Sequence, residues 1–154
     1  MLDELTILGL RVLDIPEFSW RPGMKTLSGD RVIAVKGSKI YLDSIYPTEE
    51  VVHTYYLLPK EVDDLPDFPH GNHYEGRSFT YKQLTGEIPD LSDGATRGAL
   101  VEILRTVYNS NNAHISWDRG WSLDGVIDSN GPVFLKSCPT EAEALVYSLE
   151  AANR

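Results

Sequence analysis

The sequence predicts an α+β fold, and three observations carry that expectation. Short β-branched and aromatic runs, cut by turn dipeptides, fill residues 24–58. Apolar residues recur at three- and four-residue spacing from Ala95 to Tyr108, and a capping box opens at Thr140. The pattern implies an N-terminal antiparallel β meander followed by a C-terminal α-β-β-β-α module, with two helices packed on a small antiparallel sheet. The predicted division is residues 1–89, β-rich with an irregular loop at 59–89, and residues 90–154, the αβββα module.

In chain order, Leu5 to Leu13 is an apolar run whose period fits either a strand or a short helix. After Pro22-Gly23 come Met24–Leu27, the Ser28-Gly29-Asp30 turn, Arg31–Lys36, the Gly37-Ser38 turn and Lys39–Leu42. Two- and three-residue turns between such runs are the mark of hairpins. Val51 to Leu58 reads as a further strand. Residues 59–92 hold Pro59, Pro66, Pro69 and Pro89 and show no regular period, so a long loop is expected. One short helical turn is expected near Phe79–Leu84, and a subdomain boundary near Glu87–Leu91.

The second half is more regular. Ser92 or Asp93 can cap a helix running to about Asn109, with Leu100, Ile103, Leu104 and Val107 on its apolar stripe. Strands follow at Ala113–Trp117, Trp121–Asp128 and Pro132–Ser137, joined by Asp118-Arg119-Gly120 and Ser129-Asn130-Gly131. Thr140-Glu141-Ala142-Glu143 then places a hydroxyl at N-cap and a carboxylate at N3, opening a helix to about Ala151.

Composition narrows the function classes. The 154 residues suit one domain or two small units. The formal charge is −9, with 14 acidic and 9 basic side chains in residues 1–89 and 9 and 5 in residues 90–154. A surface so acidic repels phosphate backbones unless its cations gather on one face. That counts against an otherwise tempting analogy. The αβββα order is also that of double-stranded RNA-binding domains, but those need a basic start to the last helix. Here Pro139-Thr140-Glu141-Ala142-Glu143 reverses the sign, so no nucleic-acid partner is expected. Cys138 is the lone cysteine, which excludes an intramolecular disulfide and fits a reducing compartment. The N-terminus opens with Asp3 and Glu4 rather than a basic patch, and no run approaches the roughly 20 apolar residues of a bilayer span. A cytoplasmic protein without a membrane partner is the expectation.

Catalytic motifs are absent: there is no nucleophile elbow and no phosphate-binding glycine loop. No cofactor is implied. Cys138, beside a proline, reads as a small buried hydrophobe, and His53 and His114 as structural. Asp67, His70, His73 and Glu75 fall within nine residues and are all types that ligate divalent ions. His-x-x-His on a loop is a permissive spacing, so these are weak metal candidates, and a proline-punctuated surface loop is the competing reading. A second constellation is aromatic. Trp20 and Arg21 precede the Pro-Gly turn, and Trp117, Arg119 and Trp121 bracket a hairpin turn. Tyr46, Tyr55, Tyr56, Tyr74 and Tyr81 add further rings. Indole faces beside guanidinium groups can stack a base and pair a phosphate, or anchor a protein interface. The same rings serve equally to fill a core.

Three segments resemble a group of small uncharacterised proteins of tailed bacteriophages. Leu91-Ser92-Asp93-Gly94-Ala95-Thr96-Arg97-Gly98 is similar to their helix start, with glycine at 94 where proline is usual. Pro139-Thr140-Glu141-Ala142-Glu143-Ala144-Leu145 is similar to their last helix, and Phe18-Ser19-Trp20-Arg21-Pro22-Gly23-Met24 to their aromatic lead-in. The resemblance implies a phage origin rather than an activity. It favours a non-enzymatic accessory protein acting by binding: a host-defence antagonist that sequesters a nucleotide-like signal or masks a host protein, with self-association open. The alternatives are a virion or assembly component, and a metal-dependent hydrolase using the 67–75 loop. Residues 90–154 are expected to be scaffold, and function to lie in the aromatic strands and the 59–89 loop.

Overall fold

The computed structural model describes residues 2–36, 39–45, 77–83 and 87–154. The protein is α+β, with three helices and small antiparallel sheets among these residues. They fall into two compact units, one formed by residues 1–19 and 89–154 and the other by residues 20–88. The first nineteen residues thus join the unit built by the C-terminal module, across the expected 89/90 division.

The ambiguous run at Leu5–Leu13 is helical: α1 spans Glu4–Leu13. The deciding signal lies just ahead of it, where the Asp3 carboxylate accepts from the Thr6 amide at 2.8 Å. Capping satisfies one of the donors that a helix start leaves without partners. Leu8 and Val12, four residues apart, are buried on one face. Arg11 forks onto Glu150 near the other end of the chain, its Nε 3.1 Å from Oε2.

In the 20–88 unit, β1 (Arg31–Lys36), β2 (Lys39–Ile45) and β3 (Arg77–Gln83) form one antiparallel sheet in the order β1-β2-β3. A register shift interrupts β1 between Val32 and Ala34. Ahead of β1, the Met24 amide donates to the Arg21 carbonyl at 3.2 Å, closing the Pro22-Gly23 turn. The expected helical turn near Phe79–Leu84 is corrected to strand β3. Each of its residues from Arg77 to Gln83 pairs with β2, so a ladder overrides the weak local helix signal. The expected strand at Val51–Leu58 and most of the 59–89 loop lie outside the described residues.

The other unit continues with α2 (Gly94–Val107), β4 (His114–Trp117), β5 (Trp121–Asp124), β6 (Ile127–Asp128), β7 (Gly131–Pro132) and α3 (Glu141–Ala151). Both expected caps form. Asp93 Oδ2 accepts from the Thr96 amide at 3.0 Å, and Thr140 Oγ1 from the Glu143 amide at 3.1 Å. The helix α3 is central, touching α1, α2, β4 and β5, which explains its run of buried residues at Ala144, Leu145, Val146, Ser148 and Leu149. Ser148 tolerates that position because its hydroxyl donates back to the Ala144 carbonyl at 2.7 Å.

The expected strand at Ala113–Trp117 forms as β4, and the other two need correction. Trp121–Asp128 breaks into β5 and β6 around Gly125, and of Pro132–Ser137 only Pro132 lies in a strand, the two-residue β7, with the next ladder contact an isolated bridge from Cys138 to Trp121. Gly125 has φ +82°, and a Cβ there would lie 2.1 Å from the Asn112 carbonyl oxygen. The chain turns a corner at this residue, and only glycine fits the corner.

Candidate functional site

The hairpin β4–β5 sets up the site. Its register pairs His114 with Asp124, Ile115 with Leu123, Ser116 with Ser122 and Trp117 with Trp121. The Trp121 backbone faces the other way, its amide and carbonyl both bonded to Cys138 at 3.0 and 2.8 Å. Trp117 and Trp121 are therefore a non-hydrogen-bonded pair, the kind whose side chains stand closest. Their rings meet edge to face, with centroids 5.5 Å apart. At the tip, Arg119 adopts φ +57°. Gly120 then passes so close to Ser137 that a Cβ would lie 2.7 Å from the Ser137 Cβ.

Strand alternation gives this hairpin two different faces. Ile115, Trp117, Trp121 and Leu123 share one, and α3 packs on the hairpin with Leu123 buried. His114, Ser116, Ser122 and Asp124 share the other. Past the Gly125 corner, β6 and β7 fold beside this polar face and leave a groove of about 460 Å³. The hairpin contributes Ser116, Ser122, Asp124 and, toward the tip, Asp118 to its lining, and the arm contributes Ile127, Val133 and Phe134. Both charged lining residues are carboxylates.

Asp124 is held in place rather than neutralised. Its Oδ1 accepts from the Gly125 amide at 2.8 Å, and its Oδ2 accepts from Ser116 Oγ at 3.4 Å. His114 Nε2 stands 3.7 Å away, while its Nδ1 lies 2.7 Å from the Asn112 carbonyl. A carbonyl can only accept, so Nδ1 carries the proton of a neutral ring and Nε2 bears one only when the ring is charged.

The aromatic candidates are divided. Trp20 and Arg21 belong to the 20–88 unit, and Trp117, Arg119 and Trp121 to the other. Trp20 is 4% exposed, which leaves no open ring face for stacking. Trp117 is 63% exposed, Arg119 is exposed at the tip, and Trp121 is half-buried. The metal candidates Asp67, His70 and His73, with Glu75, lie outside the described residues, as do His53, Tyr46, Tyr55, Tyr56 and Tyr74. Among the described residues no group of three or more His, Cys, Asp or Glu is placed to hold a metal ion. Cys138 is buried, and burial is the main force pushing its thiol above the ordinary range, with Glu143 adding to it against Lys136 and Arg11. Such a thiol is a poor nucleophile. The first turn of α3 carries Glu141 and Glu143, as the sequence requires.

Sequence reasoning missed the groove and its apolar wall. Ile127 is 75% exposed and Phe134 85% exposed. The signal was present in Val133-Phe134, adjacent apolar residues on a segment with no second layer to cover both faces. No protein-family model, no curated protein and no solved structure matches the chain.

Proposed function

We propose that this chain is a binding protein that masks a surface of a partner protein, in keeping with the phage-encoded host-defence antagonist that the sequence resemblance implies. One observation carries the reading: Ile127 and Phe134, the two most exposed large apolar side chains among the described residues, flank the same groove. Covering both would contribute roughly 3–6 kcal/mol, at about 1.5–3 kcal/mol for each side chain. Exposed apolar groups beside polar ones are the usual composition of an interface. Trp117, on the opposite face of the same hairpin, enlarges the surface on offer. The nucleotide-sequestering alternative fits less well, because Asp118 and Asp124 oppose a phosphate.

The test is affinity capture from lysate of the bacterial host, followed by calorimetry on any protein retained. Wild type should bind one partner stoichiometrically, and Ile127→Ser/Phe134→Ser should weaken that binding at least tenfold. Unchanged affinity in the double variant refutes the reading. So does a rise in melting temperature with any member of a cyclic-nucleotide panel, in the absence of a protein partner.

A further inference from the structure

We infer that the groove between the β4–β5 hairpin and the β6–β7 arm takes a cationic side chain, lysine or arginine, from a partner segment that also carries an apolar residue. The inference rests on the protein-masking reading and names the chemistry of that partner. Charge complementarity is its first support. Asp118 and Asp124 are the charged lining residues, and they are of one sign. Two nearby cations are engaged elsewhere, the Lys136 ammonium 4.6 Å from the centroid of the Tyr147 ring and Arg105 on Glu102 and the Ala113 carbonyl, while Arg119, exposed at the tip next to Asp118, pairs with neither carboxylate. No cation pairs with Asp118 among the described residues, and Asp124 has only the conditional charge of His114 at 3.7 Å. An anionic groove in a chain of net charge −9 attracts a cation from outside.

Shape and hydrogen bonding give the second support. Ser116 and Ser122 lie side by side across the ladder, and each hydroxyl keeps acceptor lone pairs for an ammonium or guanidinium group. In the same groove, Ile127, Val133 and Phe134 of the arm offer apolar surface. A lysine or arginine stem lies along such a surface while its charged head reaches one carboxylate, Asp118 toward the tip or Asp124 at the far end of the hairpin, and a second cation on the segment can reach the other. The groove, at about 460 Å³, is larger than one such side chain needs, which leaves room for the neighbouring apolar residue.

The experiment titrates the full chain by amide-resolved NMR with two peptides, Ac-Leu-Lys-Phe-Lys-NH2 and Ac-Leu-Glu-Phe-Glu-NH2. The lysine peptide should give saturable shifts at Ser122, Gly125 and Val133, and the glutamate peptide none. Asp118→Asn/Asp124→Asn should weaken the lysine peptide roughly tenfold, two exposed pairs at a few-fold each. Phe134→Ser, which leaves the carboxylates and the Gly125 corner untouched, should weaken it independently. Equal binding of the two peptides, no saturable shift, or an unchanged affinity in the carboxamide variant overturns the inference. If the peptides fail while Ile127→Ser/Phe134→Ser still releases a captured partner, the cation chemistry falls and the masking reading stands. If the lysine peptide binds but no protein is captured, the reverse holds.

Discussion

Replacing Gly125 with alanine should destabilise the unit that carries the groove by about 2–5 kcal/mol. Two costs add. The residue sits at φ +82°, where a non-glycine side chain loses roughly 1–2 kcal/mol. The new Cβ would also lie 2.1 Å from the Asn112 oxygen and 2.8 Å from its carbonyl carbon, so backbone rather than a side-chain tip must move. Overpacking of that kind costs roughly 1–3 kcal/mol. For a chain of this length each kcal/mol corresponds to roughly 2–4 °C, so the melting temperature should fall by about 4–20 °C. Urea denaturation gives the free energy and calorimetry the temperature. Gly98→Ala is the control: it lies inside α2, nothing stands within 4 Å of the added methyl, and it should stabilise by about 0.5–1 kcal/mol. A loss below about 3 °C at position 125, or equal losses at both positions, would refute the corner argument.

Two further outcomes follow from single contacts. Thr140→Ala removes the acceptor of the Glu143 amide at the start of α3 and should cost about 1 kcal/mol, read by urea midpoint at unchanged m-value. Cys138 should resist iodoacetamide until the unit unfolds, its alkylation rate following global stability. Because burial raises its folded-state pKa, the stability it contributes is complete below the ordinary thiol range and is lost as pH rises through the raised value. Cys138→Ala should therefore flatten the alkaline limb of a stability-versus-pH curve, and an unchanged limb would contradict the burial argument.

Much of the fold was legible because its signals were local. Asp93 and Thr140 announce helix starts by chemistry confined to three or four residues, and both side chains accept from the amide three residues on. The spacing of Leu100, Ile103 and Leu104 fixes the buried face of α2 in the same way. What was not legible depends on partners distant in sequence. Phe79–Leu84 reads as a turn alone, yet Phe79–Gln83 becomes strand by pairing with β2, about forty residues earlier. The same holds for the site. Trp20 and Trp117 look alike as residues, but one is buried and the other open, a difference set by packing alone. Gly125 gave a local hint, since glycine inside a strand pattern marks a bulge or a close approach. Which close approach it marks, the Asn112 carbonyl, is a tertiary fact.

The corner also bears on why the apolar wall stays uncovered. Had β5 continued straight through residue 128, alternation would have put Leu123, Gly125 and Ile127 on one face, toward α3. Instead the chain bends at Gly125, Val126 stays buried, and Ile127 turns outward. The arm is held by the Val133 amide on the Val126 carbonyl at 2.9 Å and by the short β6–β7 pairing. Those bonds need no bulky side chain at 127 or 134. Threonine at either position would leave those bonds in place and reduce the exposed apolar area. Folding therefore gives no reason for isoleucine and phenylalanine there, whereas a covering partner does. Ile127→Thr/Phe134→Thr should accordingly leave the urea midpoint unchanged or slightly raised while binding is lost, and a large drop in stability would return both residues to a structural role.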